Sequence, residues 1–505
     1  MPCKSKKQDE NERNYTKSPT RSWARNQMGN SNLNITPIPK RKENISGRIV
    51  QRVSRRLDAG ANSHLTAEFL AELNQGFAAN PKHRLAMNAV TQTPVDDVAL
   101  NRAVVTNTDF TFSHWLDDWS VTHQKQSGRC WMFAGLNLFR VGAMKKLRLK
   151  EFEFSQNYTL FWDKIERANY FLEQIIETAA QSVDDRAVAF LLSQPLGDGG
   201  QWNMFVNIVR KHGLVPKAMM PETESSSNTG RMNENAVHKL REGAKTLREL
   251  RARGGSLADT RAAKQRILKT IHRILCIHLG TPPTKFHWQW NDKNKKFHRD
   301  GELTPQQFSR KYLTLPIDDY VCLVHDPRQT NPPNRTYTVQ HLGNVIGGGM
   351  VLYLNVDVEL MKTLAMRSIM KGEPVWMGCD VGKMMRRDLG LWDKHLFDYE
   401  ALYDTAFNLD KASRLIYHQT AMTHAMLFTG VDVVNRRPRR WRVENSWGEE
   451  KCGRKGFFVM NDSWFDEYMF EIAVRKSTLP APLQRALKLP PIVLPPWDPM
   501  GSLAR

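Results

Sequence analysis

Gln124-Lys125-Gln126-Ser127-Gly128-Arg129-Cys130-Trp131-Met132-Phe133-Ala134 reads as a glycine turn that delivers one cysteine to the start of an apolar segment running on to Phe139. A cysteine at a helix N-terminus faces unpaired backbone N–H groups and the positive end of the macrodipole. Both favour the thiolate, which is the nucleophilic form. Gly128 permits a tight bend just before the helix. Gln124, six positions ahead of Cys130, can present its side-chain amide beside the Cys130 backbone N–H. Two such donors aimed at one point make an oxyanion hole, where losing a donor costs about 3–4 kcal/mol. Taken alone, Cys130 is as well explained as a small buried hydrophobe, the usual behaviour of a free cysteine.

The partners that change this balance lie far downstream, in Met422-Thr423-His424-Ala425-Met426 and Arg442-Val443-Glu444-Asn445-Ser446-Trp447-Gly448. A histidine can take the thiol proton and hold the resulting ion pair. An asparagine oxygen can accept from the other ring nitrogen and fix the tautomer. Trp447 can cover that bond and exclude water, which strengthens it. Each is also readable as structure, His424 as a satisfied core histidine and Asn445-Ser446-Trp447-Gly448 as a turn ending a strand. In the order Gln124, Cys130, His424, Asn445 they read together as one thiol-nucleophile site.

In these blocks the chain resembles the papain-like cysteine peptidases, whose Cys-Trp signature and distant His and Asn it reproduces. Within them it is similar to the bleomycin-hydrolase family. The likeness also takes in the terminal Trp497-Asp498-Pro499-Met500-Gly501 and spans about Ser63 to Arg505. The resemblance implies an α+β, papain-like two-lobed fold with a large helical insertion and an extended C-terminal tail. It implies a cysteine aminopeptidase that needs no metal or organic cofactor and acts on peptides with a free N-terminus. Cys130, His424 and Asn445 would be catalytic, with Gln124 in the oxyanion hole. Gly199 and Gly200, in Asp198-Gly199-Gly200-Gln201-Trp202, would line the cleft and pair with substrate backbone, and Trp447 would also be substrate-binding. The tail would lie in the cleft and present a carboxylate to the substrate's α-ammonium, from Arg505 or, after self-processing, from Ala504. The insertion would help build a homohexameric ring. His123 stands where members of the family often have Asn, and Gln126 replaces a common Ser.

The formal charge of +21 suits nucleic acid, an anionic membrane or acidic peptides, and equally a solvated face. It leaves room for weak, non-specific nucleic-acid binding. The rival reading is therefore a basic, ring-shaped nucleic-acid-binding protein with secondary peptidase activity. The six cysteines (3, 130, 276, 322, 379, 452) show no paired spacing, so neither a disulfide framework nor a zinc module is expected. With no apolar targeting run at the start, a reducing, cytoplasmic setting is expected over a secreted or lysosomal one. No run approaches 18 apolar residues, so no membrane span is expected.

Along the chain, residues 1–62 are polar and basic, with Pro39-Lys40-Arg41-Lys42, and read as a disordered extension. Residues 63–220 read as an N-terminal region and helical lobe. A helix is expected over Leu65–Ala79, ended by Pro81, then strand-like and extended pieces over 84–123. His424 lies 294 residues beyond Cys130, so something is inserted, and 221–342 reads as that mostly helical insertion. Val237, Leu240, Ala244 and Leu247 fall at helical spacing. Gly254-Gly255-Ser256 breaks that run before Ile267, Ile271, Ile274 and Leu275 begin another. Residues 343–488 turn to short apolar runs and read as a β lobe carrying His424 and Asn445. Residues 489–505 are too proline-rich for a helix or central strand and should be extended.

Overall fold

The computed structural model describes residues 64–116 and 119–504. The basic extension expected over 1–62 and the candidate terminal residue Arg505 lie outside the described residues. The first helix is present as Ala67–Ala79. Pro81 does not end helical structure there but opens a second helix, Pro81–Val90. Asn80 caps it by accepting the Lys82 N–H, and the fixed φ of proline suits a first turn. Helices Val95–Ala99 and Arg102–Asn107 follow where extended pieces are expected. The second is started by Asn101, whose side chain takes the N–H groups of Ala103 and Val104. Local capping thus decides a stretch too short to show a period.

Cys130–Leu147 is a helix buried on nearly every side, which is why its sequence is apolar without an amphipathic stripe. It packs against the helices Gln156–Glu177 and Trp202–His212 and against the strand His424–Val434. That strand is central to a mixed twelve-stranded sheet among the described residues. In spatial order its core runs 320–324, 469–475, 375–379, 424–434, 437–444, 457–461, and these neighbours are antiparallel.

Both faces of the sheet are covered, so its strands read as continuous apolar runs. Trp376, Ala425 and Leu427 face the Cys130 helix. Val375, Met377, Met426 and Phe428 join the opposite core with Trp441, Trp464 and Phe465. The sequence alternates faces one residue at a time, as the pleat requires.

The two insertion helices are Gly230–Ala252 and Leu257–Leu279. Gly254 between them has φ +82, and Ser256 caps the second by accepting the Asp259 N–H. The span 221–342 is not helical throughout. A hairpin, Phe286–Asn291 with Phe297–Leu303, follows the helices. Tyr320–Val324 and Arg335–Val339 are strands of the main sheet. Five consecutive apolar residues buried on both sides, as in Tyr320–Val324, leave no period to read. The tail is extended as its prolines demand, and Ile492–Leu494 adds a parallel edge strand to 337–339.

Candidate functional site

Two pairings bring the distant blocks together. The Gln124 N–H donates to the Ser446 carbonyl at 2.8 Å, and the Gly448 N–H to the Thr122 carbonyl at 3.2 Å. The loop before Cys130 therefore runs beside the turn that carries Asn445. Gln126 is in turn paired with Ser227 and Thr229, at the start of the insertion. The bend falls elsewhere than expected: Lys125, with φ +55, takes the left-handed conformation. Gly128 serves by its N–H, which donates to Asp198 Oδ2 at 3.0 Å.

Cys130 is fully buried at the first position of its helix. Burial pushes its thiol up to about 12, against backbone N–H groups of Ala425, Trp131 and Cys130 itself, which pull it down. The sulfur thus sits at the backbone of the residue following His424. The helix N-terminus alone does not make a standing thiolate here, because desolvation is the larger effect.

His424 opens its strand, and its Nε2 lies 2.9 Å from Asn445 Oδ1. That oxygen also accepts the Ser446 N–H at 2.7 Å, which fixes which end of the amide faces the ring. An oxygen can only accept, so Nε2 carries a hydrogen. Trp447 lies against the imidazole, ring centroids 5.0 Å apart, with the Arg387 guanidinium 5.0 Å above the indole.

Gln124 is buried, its Oε1 accepting from Ser446 Oγ at 2.7 Å and its Nε2 donating to the Ser127 carbonyl. The amide is held at both ends, and this use of Nε2 takes one of its two hydrogens. His123 accepts the Lys125 N–H on Nδ1, and its ring fills the space beside Gly448, where a Cβ would come within 2.5 Å of Cδ2.

Gly199 lines a cavity of about 400 Å3 whose other wall includes Met422, Thr423, Trp497 and Leu503. Gly200 lies against Trp131, where a Cβ would come within 2.3 Å of the indole. The Gly200 N–H donates to the Ala504 carbonyl at 3.0 Å in an antiparallel bridge, and Ala504 is fully buried. Ser502 is held on both sides, accepting from Gln201 Nε2 and donating to the Met422 carbonyl. The tail therefore runs into the neighbourhood of Trp131, next to Cys130.

Several buried groups shape this site without a recognisable motif. Asp198 accepts from Gly128, Lys164, Thr229 and Asn233. Burial alone would raise its pKa, but Lys164, Thr229 and Asn233 together outweigh that and hold the carboxyl below the usual range. Glu444, just before Asn445, accepts from Arg140 and Asn137 on the Cys130 helix and from Trp119. Asp198 stands in the quoted Asp-Gly-Gly block and Glu444 in the Glu-Asn-Ser-Trp block, so position beside a glycine pair or beside Asn445 was the available signal.

Beneath the tail, Glu471 lines a small void with Tyr353, Gln201, Pro499 and Met500. Its Oε1 has no hydrogen-bond partner among the described residues. Burial raises its pKa to about 7, offset in part by Cys322. An unfolded glutamate titrates near 4.3. Between these values the folded chain keeps a proton that the unfolded chain has lost, so stability falls as pH rises through that window and levels off above it. The full penalty is about 4 kcal/mol. Glu471→Gln is expected to remove this slope and raise the unfolding temperature at pH 8 but not at pH 4, in thermal scans at both values.

Residues 64–501 match the Peptidase C1-like family. Bleomycin hydrolase of Gallus gallus is 44% identical over 455 residues, covering 88% of this chain and all of that protein. Bleomycin hydrolase of Homo sapiens is 42% identical, with the same coverage. Aminopeptidase C of Streptococcus thermophilus is 42% identical over 87% of this chain and 99% of its own length. The crystal structure of PepW from Lactobacillus rhamnosis superposes with a TM-score of 0.86 at 46% identity, over 88% of this chain and 100% of that one. No helix among the described residues is long and apolar enough to cross a membrane.

Proposed function

The chain belongs to the Peptidase C1-like family and is a cysteine peptidase with a papain-like fold, and from that premise we propose that it is an aminopeptidase whose own C-terminal tail restricts the cleft to substrate N-termini. Cys130 Sγ attacks the scissile carbonyl carbon while its proton passes to His424 Nδ1. The second amide hydrogen of Gln124 and the Cys130 backbone N–H hold the oxyanion. Collapse expels the amine, which takes the proton from His424 and leaves a thioester on Cys130. Water then attacks the thioester with His424 as base, releasing the acid and the thiol. Asn445 keeps Nε2–H engaged through both halves.

A thiol pushed up to about 12 by burial does not oppose this scheme. Burial penalises losing the proton to bulk water. Passing it to the imidazole leaves the pair with no net charge, and only a dipole has to be solvated.

The observation that carries the tail reading is the Gly200–Ala504 bridge beside Trp131. A segment paired there occupies backbone positions that a longer substrate would need, and leaves room for a few residues ahead of the scissile bond. On the family resemblance we also read the protein as a cytoplasmic homohexamer acting on peptides with a free N-terminus, which sedimentation of the full chain tests. Removing residues 497–505 is expected to raise kcat/KM for an N-terminally blocked peptide at least about tenfold relative to the free-amine peptide. An unchanged preference would remove the tail from the account while leaving the peptidase chemistry intact.

A further inference from the structure

Arg328 lies between two carboxylates that come from different parts of the chain. Asp326 takes its Nε at 2.9 Å and its NH2 at 2.8 Å. Asp498, in the tail, takes NH1 at 3.0 Å on Oδ2 and NH2 at 2.8 Å on Oδ1. The Arg328 and Asp498 side chains are each only 9% exposed, so this paired fork is largely out of solvent. Such bidentate arginine–carboxylate pairs fix geometry as well as charge.

The receiving half of this contact is complete without the tail. Asp326 also accepts from the Arg328 N–H and from Asn331 Nδ2. Asn355 accepts the Asp326 N–H and donates to the carbonyls of Asp326 and Asn331. Arg328 is thus oriented by its own neighbourhood, with two N–H groups left pointing at the tail. On the tail side, Asp498 also caps the short turn after it by accepting the Met500 N–H. The next residue back, Trp497, lies under the Arg186 guanidinium at 3.7 Å.

We propose that Arg328 is a carboxylate socket in which Asp498 seats the C-terminal segment, and that this ion pair sets how far residues 499–504 reach along the cleft. The ligand class is an extended peptide bearing an aspartate, here supplied by the chain itself. Arg328 and Asp498 are positioning residues, since they act on cleavage only through the residues that follow Asp498. The proposal rests on the tail reading for its effect on specificity, though not for the docking itself.

Asp498→Asn is the informative variant in the full-length protein. Asparagine still offers an oxygen to the Met500 N–H, so the change removes the charge pair and spares the turn. Hydrogen exchange of 499–504 is expected to accelerate at least tenfold while exchange across 320–355 is unchanged. The ratio of kcat/KM for blocked over free-amine peptide is expected to rise at least tenfold. General loss of fold would lower both rates together and leave that ratio alone. Asp498→Glu, which keeps the charge, is expected to exchange more slowly than Asp498→Asn. Faster exchange with an unchanged ratio upholds the socket and overturns the tail's role in specificity. Exchange in 499–504 that is the same in Asp498→Asn as in the unaltered protein overturns the socket.

Discussion

Cys130→Ala is expected to lower kcat/KM toward aminoacyl reporter substrates by at least about 10^4-fold with no loss of cooperative unfolding. The size follows from what the change removes. The thiol at the backbone of Ala425 is Cys130, and the neighbouring Cys379, paired with His424 across the sheet, is held in its protonated form by burial. Loss of a nucleophile stops acylation, and what remains is binding and oxyanion stabilisation without a covalent path. Stability should change little in comparison, because a small residue replaces a small one at the helix start and alanine suits a helix. The check is steady-state kinetics beside a denaturant titration, with thiol alkylation of the unaltered protein as a parallel block. Retained activity in the alanine variant would place the nucleophile elsewhere.

The residues behind that expectation were legible because their chemistry is local. Gln124, the Cys130-Trp131 pair and the Asn445-Ser446-Trp447-Gly448 turn each carry their meaning within a few positions, and the structure brings these stretches into hydrogen-bonded register. The two insertion helices were legible for the same reason, since a period and a glycine break are short-range signals. The strands Tyr320–Val324 and Arg335–Val339 were not, because an edge of an insertion and a strand of the main sheet look alike over five residues. The roles of Asp198 and Arg328 were hidden more deeply. Each depends on partners tens to hundreds of residues away, and ionic pairs between distant segments impose no spacing on the sequence. The thiol expectation needed correction in magnitude as well. The sequence places Cys130 at a helix start, but how completely the surroundings close over the sulfur is a property of the packed lobes.

Arg140→Met is expected to cost about 3–5 kcal/mol of stability at pH 8, more than any other single change considered apart from loss of the nucleophile's chemistry. Arg140 and Glu444 are each about 1% exposed and lie 2.7 Å apart, joining the Cys130 helix to the strand that ends at Glu444, just before Asn445. Burial raises the pKa of Glu444, and Arg140 is the first of the groups that pull it back down. Asn137 and Trp119 donate to the same carboxylate without charge, and Arg442 is a second cation that pulls its pKa down. Methionine fills much of the arginine's volume, so the change removes the foremost of two cations acting on a buried carboxylate more than it opens a cavity. The pH dependence separates this cause from a packing defect. Glu444 in the variant should titrate higher still. The unaltered protein already keeps this proton up to its own raised value, so the deficit relative to it opens above that value and grows until Glu444 of the variant has ionised as well. A packing defect would be the same at pH 5 and pH 8. Adding Glu444→Gln to Arg140→Met should recover part of the loss at pH 8, since the amide carries no charge, although its single oxygen can accept from only one of Asn137 and Trp119, which donate to different oxygens of the carboxylate. Urea titrations of both variants at the two pH values measure this directly, and kcat followed in the same samples reports whether Asn445 has kept its place beside His424. A deficit that is flat with pH, or a double variant no more stable than the single one, would mean that the pair contributes shape and not charge compensation.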